Sequence, residues 1–242
     1  MFEPVKIAFA EWLGRYYQSL VPATRGMSEF CARGLDKSIA WAPGRMVDAA
    51  DEMLESWQRN DTDSAPTAPA KLPVILVAMS RDTTPTGREF TRNVSEAEYI
   101  TFPCDPKARA FKLRSFAADI RVQLAIFAHD EPTARAIAAQ FMLFADTFVN
   151  RRMISAWPFA GFVHHWPVAI ESPAIPAMSV MTDAKNITIL VLDMVLKASV
   201  PLYQAPRVGE PNDGKGDPAN PDDPAGYPLV TEVNPNPVVA AP

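Results

Sequence analysis

FAADIRVQLAIFAHDEPTARAIAAQFMLFADTFVN, residues 116–150, is the stretch on which the architecture turns. In its first third, Phe116, Ala118, Ile120, Val122, Leu124 and Ile126 fall on one side and Asp119, Arg121 and Gln123 on the other. That period-2 alternation predicts a half-buried β-strand over 116–127. His129-Asp130-Glu131-Pro132 then changes the period. Asp130 is a good N-cap, Glu131 suits the positive end of a helix dipole, and Pro132 is tolerated in a first turn. A helix is therefore predicted from Glu131 to Val149, burying Ala134, Ile137, Ala138, Phe141, Phe144, Ala145 and Phe148. It ends beside Asn150-Arg151-Arg152, where basic side chains meet the negative pole.

Working toward the C-terminus, GFVHHWPVAI (161–170) reads as extended. Pro167 cannot donate to a ladder, so this segment is expected at a sheet edge or on a bulge. ITILVLDMVLKASV (187–200) is a long strand with Thr188, Leu190, Leu192, Met194, Leu196 and Ala198 on one face. The other face carries Ile189, Val191, Asp193, Val195 and Lys197, too apolar for plain solvent exposure, and is expected to lie against a neighbouring subunit.

Toward the N-terminus, LPVILVAMS (72–80) is a short, almost continuously apolar strand, and 60–71 (NDTDSAPTAPAK) reads as a linker. Residues 1–59 read as helical: one helix from Pro4 to about Leu20, a second from Ser28 through Trp41, and a third over Met46–Trp57 with one buried face. Residues 81–114, with a weak strand at Tyr99–Phe102, read as a hairpin projecting from an α+β core that spans 72–203. The predicted fold class is α+β: a mostly antiparallel sheet with helices on one face, extra N-terminal helices and an extended Pro-rich C-terminal tail.

Of 242 residues, 48% are hydrophobic, 24 are Pro and only 10 are Gly. The proline excess concentrates in 204–242, which holds nine Pro and six acidic against two basic residues, so this tail carries −4 of the chain's net −5. By composition it predicts a segment that supplies almost no core. The remaining body is nearly neutral, which argues against a dedicated nucleic-acid binder. The apolar run in 187–200 is too short for a membrane-spanning helix.

Candidate chemistry is sparse. No glycine pattern of a phosphate loop is present. His164 and His165 are adjacent on a strand and so point to opposite faces, which predicts one packed and one exposed imidazole in place of a shared metal. Cys31 and Cys104 have no metal-type spacing and read as reduced thiols. Asp105, Asp119, Asp130 and Asp193 each have a structural explanation as turn, face or cap, so no catalytic residue, cofactor or metal is assigned. The mixed charges of 81–114 fit a solvated hairpin better than an arm that meets an acidic partner or DNA. Trp157-Pro158 reads as a turn, with Trp157 either core or an interface anchor.

The order of strand 118–127, helix 131–149 and strand 187–200, behind an N-terminal helix and a projecting hairpin, resembles the tail-terminator or neck (collar) proteins of tailed bacteriophages over roughly residues 44–203. The resemblance implies a structural, non-enzymatic virion subunit, assembled in the host cytoplasm, that forms a homo-oligomeric ring of six at the head–tail junction. It implies tail tube, sheath where the tail has one, and head–tail connector as partners, DNA only as cargo passing through the lumen, and no membrane contact. A baseplate or assembly adaptor and a hydrolase with a cryptic site are the competing readings. Candidate interface residues are Arg88, Arg92, Arg109 and Arg114 on the arm, Arg151 and Arg152 at the helix end, Trp157 in its turn, Ile189, Val191 and Val195 on the sheet face, and Arg207 and Tyr227 in the tail.

Overall fold

The computed structural model describes residues 2–42, 72–80, 82, 84–85, 97–181 and 186–229. Its helices are α1 (Glu3–Gln18), α2 (Arg25–Ala32), α3 (Leu35–Ser38) and α4 (Glu131–Asp146). Its strands are β1 (Ile39–Trp41), β2 (Val74–Met79), β3 (Thr84–Pro85), β4 (Glu98–Thr101), β5 (Ala110–Ala128), β6 (Arg152–Phe159), β7 (Phe162–Ile170), β8 (Ala177–Val180) and β9 (Thr188–Gln204). The helix expected over 46–57 and the linker expected at 60–71 lie outside the described residues, as do Arg88 and Arg92.

The fold is α+β with a mostly antiparallel sheet of order β1-β2-β5-β9-β7-β6; β3 and β4 also pair with β5, and β8 with β9. Only β1 and β2 are recorded as parallel among the registers described, through Ile39↔Ile75 to Trp41↔Val77. The chain forms two compact units: Met1–Asn93 with Ala117–Ala156 and His165–Val200, and Val94–Phe116 with Trp157–His164 and Pro201–Pro242.

In the first unit, β2 pairs antiparallel with β5 from Val74↔Phe127 to Met79↔Val122. The alternation expected of β5 holds at Ala118–Arg121, but from Val122 to Ala128 both faces are buried. The cause is a second apolar cluster in which Leu72, Val74, Leu76, Ala125, Phe127, Ile189 and Val191 pack together. Among the described residues, no helical residue belongs to that cluster.

Helix α4 begins as expected, with Asp130 Oδ1 accepting the Thr133 N–H at 2.8 Å and Pro132 in the first turn. It stops at Asp146, not Val149: Thr147 turns extended, Phe148 loses the helical phase, and its side chain is exposed instead of buried. Helix α1 buries Val5, Ala8, Phe9, Trp12, Leu13 and Tyr16. Tyr16 Oη donates to the Ile137 carbonyl at 3.0 Å and Trp12 Nε1 to the Asn150 carbonyl at 2.6 Å. Both rings stand edge-on to Phe141. Each such ring withdraws about 200 Å² from water, on the order of 5 kcal/mol before entropy is counted.

Three local expectations are corrected. The second helix is capped by Thr24, whose Oγ1 accepts the Met27 N–H at 3.1 Å, and not by Ser28, whose hydroxyl donates back to the Thr24 carbonyl. That helix ends before Gly34, at φ +93°, and Ile39–Trp41 becomes a strand because it can extend the buried β2. Finally, β7 is not an edge: it lies between β9 and β6, and its register with β9 runs from Val168↔Ala198 to Ile170↔Leu196, on the C-terminal side of Pro167. Among the described residues the edge is β6, whose Trp157-Pro158 read from sequence as a turn, and Pro158 sits on it, where a missing N–H is tolerated.

Candidate functional site

The second unit is built around a hairpin in which β4 pairs with the start of β5, from Glu98↔Leu113 to Thr101↔Ala110. The connecting turn is organised by one carboxylate. Asp105 accepts the backbone N–H of Lys107 through Oδ1 at 3.1 Å and that of Arg109 through Oδ2 at 3.0 Å. It also accepts the Arg109 guanidinium in a two-point pair, Nε to Oδ2 at 2.9 Å and Nη2 to Oδ1 at 3.1 Å. The third face of the guanidinium turns to the C-terminal segment: Nη1 donates to Asp223 Oδ1 and to the Pro224 carbonyl, both at 2.6 Å. Lys107 Nζ reaches the other oxygen of Asp223.

Arg109 is 2% exposed and the Asp105 carboxylate is fully covered, so this is a buried charge pair whose donors and acceptors are met. Burial pushes the Asp105 carboxyl up, but the hydrogen bonds from Arg109 and Lys107 and the guanidinium charge outweigh it and hold the group below its usual range. Hydrogen bonding to Asp105 raises the Arg109 pKa despite burial.

Beyond Arg109 the C-terminal segment is fixed at three further points. The Tyr227 N–H donates to the Ala110 carbonyl at 2.7 Å in an antiparallel bridge. Its ring meets Tyr99 edge-on, and Lys112 Nζ sits 4.3 Å from its centroid. Asp213 Oδ1 accepts the Gly226 N–H at 3.0 Å, and a Cβ on Gly226 would lie 2.4 Å from Asp213 Oδ2 and 2.8 Å from Arg109 Cβ. Between these points the segment runs as successive Asx turns, in which Asn212, Asp213, Asp217 and Asn220 each accept the N–H two residues on. Ala225 and Tyr227 are buried. This corrects the expectation that 204–242 supplies almost no core, for the part up to residue 229.

The same unit contains the tip of the β6–β7 hairpin. Ala160 and Gly161 both have positive φ, +53° and +77°, as a two-residue turn with right-handed strand twist requires. Phe159 stacks on Tyr203 at 4.9 Å and meets Phe111 edge-on, while His164 stacks on Phe102 at 3.9 Å. An open cleft of about 1000 Å³ lies between this tip and the C-terminal segment. Phe159, Phe162 and Val163 form one wall; Pro206, Arg207 and Val208 the second; Pro221, Asp222 and Pro224 the third.

Several expected interface residues are thereby relocated. Arg109 and Tyr227 come together, but as interior fastenings and not as free surface. Ile189 and Val191 are buried in their own chain's cluster, so they do not wait for a neighbour; Val195 is half-buried. The remainder of that sheet face is ionic: Arg121 pairs with Asp193 through Nε at 2.9 Å, Gln123 joins at 3.1 Å, and Lys197 pairs with Glu171 at 3.0 Å. Burial raises Asp193, but the Arg121 and Gln123 contacts prevail and lower it. Arg151 pairs with Asp146 and donates to its carbonyl, Arg152 lies over Phe148, Trp157 is half-buried in β6, and Arg114 and Arg207 are exposed. Asp105, Lys107, Asp213 and Asp223 were not singled out for the site from sequence. Only the i, i+4 spacing of Asp105 and Arg109 offered a signal.

Among the described residues no three His, Cys, Asp or Glu side chains are grouped so as to hold a metal ion, and no helix is long and apolar enough to cross a membrane. Cys31 and Cys104 are free thiols. No family model matches the chain, and no curated protein matches it.

Proposed function

We propose that this protein is a structural subunit of a tailed-phage virion that joins copies of itself into a ring, six in number, at the head–tail junction, capping the tail tube and meeting the connector. The reading starts from the order of elements in the sequence. The observation that carries it is the open edge of the first unit. Strand β6 ends the sheet among the described residues, and Leu143, Phe148 and Val149 before it and Ile154 within it are all more than 60% exposed. An edge strand is a template for another chain; Arg152 and Pro158 blunt the two ends of β6, while Ile154 between them is apolar and faces solvent. Repetition of one edge against a different surface of the next copy gives a heterologous contact, which forms a ring when the rotation between copies closes.

Sedimentation velocity tests this. The expected result is a closed species, about 160 kDa for six copies of the 26.6 kDa chain, formed alone or on addition of purified tail-tube protein. A monomer that persists under both conditions and binds neither tube nor connector overturns the reading.

A further inference from the structure

We propose that Asp213-Gly214 is a site of spontaneous covalent modification, aspartate to isoaspartate through a succinimide, and that the fastening of residues 223–227 to the β4–β5 hairpin holds the reaction in check.

The sequence marks the site. Asp213-Gly214 is the one place in the chain where Asp or Asn precedes Gly. Gly214 has no Cβ, so its amide nitrogen can approach the Asp213 carboxyl carbon unhindered. In the first step that nitrogen bonds Cγ of the protonated carboxyl, and the hydroxyl leaves with the amide proton as water. Water then adds to either carbonyl of the resulting ring and breaks the C–N bond there. Opening at Cγ restores aspartate. Opening at the main-chain carbonyl leaves the chain running through Cγ, one carbon longer, with a free α-carboxylate. Water is the only co-reactant.

The folded segment opposes the first step. The Gly214 N–H donates to Asn212 Oδ1 at 2.9 Å, so the attacking nitrogen is engaged by the preceding side chain. Asp213 Oδ1 accepts the Lys215 and Gly226 N–H groups, each at 3.0 Å, and the Asp213 N–H donates back to the Gly226 carbonyl at 3.0 Å. Gly226 in turn lies in the buried stretch held to the hairpin, between Arg109 Nη1 on Asp223 and Pro224 and the Tyr227 N–H on the Ala110 carbonyl. Ring closure at Asp213 has to break its bonds to Gly226, and these persist while 223–227 is fastened. Reactivity at Asp213 therefore follows release of that stretch.

The product cannot refasten. A Cβ on Gly226 would lie 2.4 Å from Asp213 Oδ2, so the contact has no space for a longer main chain. Isoaspartate also takes away the side-chain oxygen that accepts the Gly226 N–H. Release of the segment is reversible, but conversion during release makes it permanent. Ring formation plays no part in this chemistry, which needs one chain only.

Peptide mapping of the full chain tests it. The protein is incubated at physiological temperature and neutral pH and digested with trypsin, and the fragment VGEPNDGK (208–215) is resolved into aspartyl and isoaspartyl forms. Synthetic VGEPNDGK in the same buffer is the unrestrained reference. Isoaspartate should form at least about tenfold more slowly in the chain than in the peptide, since only the opened fraction reacts. Asp223→Ala removes the carboxylate that meets Lys107 and Arg109 but leaves Arg109 paired with Asp105, and should raise the rate at least about threefold. In converted chains, the Gly226 and Tyr227 amides should exchange at least about tenfold faster than in unconverted ones. A rate in the chain within about twofold of the peptide, a rate in Asp223→Ala equal to wild type, or unchanged exchange after conversion overturns the proposal.

Discussion

The Arg109 guanidinium donates to Asp223 Oδ1 at 2.6 Å across 114 residues of chain, while its other edge is taken by Asp105, four residues away. One side chain thus ties a local turn to a remote segment. Replacing it by Ala would leave the covered Asp105 carboxylate without its counter-charge, and breaking such a pair from one side is expected to destabilise the second unit by about 3–5 kcal/mol. Arg109→Lys should fall between, since an ammonium cannot bond both oxygens of Asp105 and still reach Pro224. Hydrogen exchange at the Gly226 and Tyr227 amides reads this directly; protection equal to wild type in Arg109→Ala would refute it.

The same cluster sets a pH dependence. Asp105 is held below its ordinary pKa in the folded chain, so the unfolded chain binds the proton more readily. Its contribution is complete above the usual carboxylate range, near pH 4, and drains away as pH falls through the lower folded value. Urea unfolding followed from pH 6 to pH 2.5 should show stability declining below about pH 4. Asp105→Asn should be less stable at neutral pH and show a shallower decline; an unchanged slope would remove Asp105 as its source.

Two glycines separate conformational from steric demand. Gly161 and Gly209 both have positive φ, +77° and +86°. A Cβ at Gly209 would meet nothing within 4 Å, whereas one at Gly161 would lie 2.9 Å from the Asp222 carbonyl oxygen. Gly209→Ala should therefore carry only the left-handed backbone penalty of about 1–2 kcal/mol, and Gly161→Ala should exceed it because backbone must also move. Thermal unfolding of the two variants ranks them, and equal losses would show that the hairpin tip yields freely.

The contrast between α4 and the C-terminal segment shows what the sequence carried. Asp130-Glu131-Pro132 announces α4 because capping is local chemistry within four residues. The strands read from sequence at 72–80, 116–127 and 187–200 announce themselves by apolar runs whose burial does not depend on their partner, whereas the extensions of β5 back to Ala110 and of β9 on to Gln204 do not. In 204–229 the same Pro, Asp and Gly content fits a solvated tail or a chain of Asx turns. What decides between them is Asp223 meeting Arg109 and Tyr227 meeting Ala110, pairings more than a hundred residues long that no local window contains. Strand β6 was missed for a related reason. Arg152–Phe159 alternates only weakly in polarity, and its inward positions include Ser155, whose hydroxyl is satisfied by the Trp166 carbonyl.

The edge of the first unit yields the prediction that bears on assembly. Ile154 points outward from β6 and is 64% exposed, so Ile154→Lys removes no core contact and should change monomer stability by less than about 0.5 kcal/mol. A lysine on an edge strand nevertheless opposes pairing with another chain, because its charge would have to be desolvated against the incoming strand. Association should therefore weaken while thermal unfolding of the monomer stays put. Exposed Val21, remote from that edge in sequence, provides the control: Val21→Lys should leave association intact. Sedimentation velocity of the two variants with wild type distinguishes the cases. Equal association in all three would mean that β6 is not where copies meet.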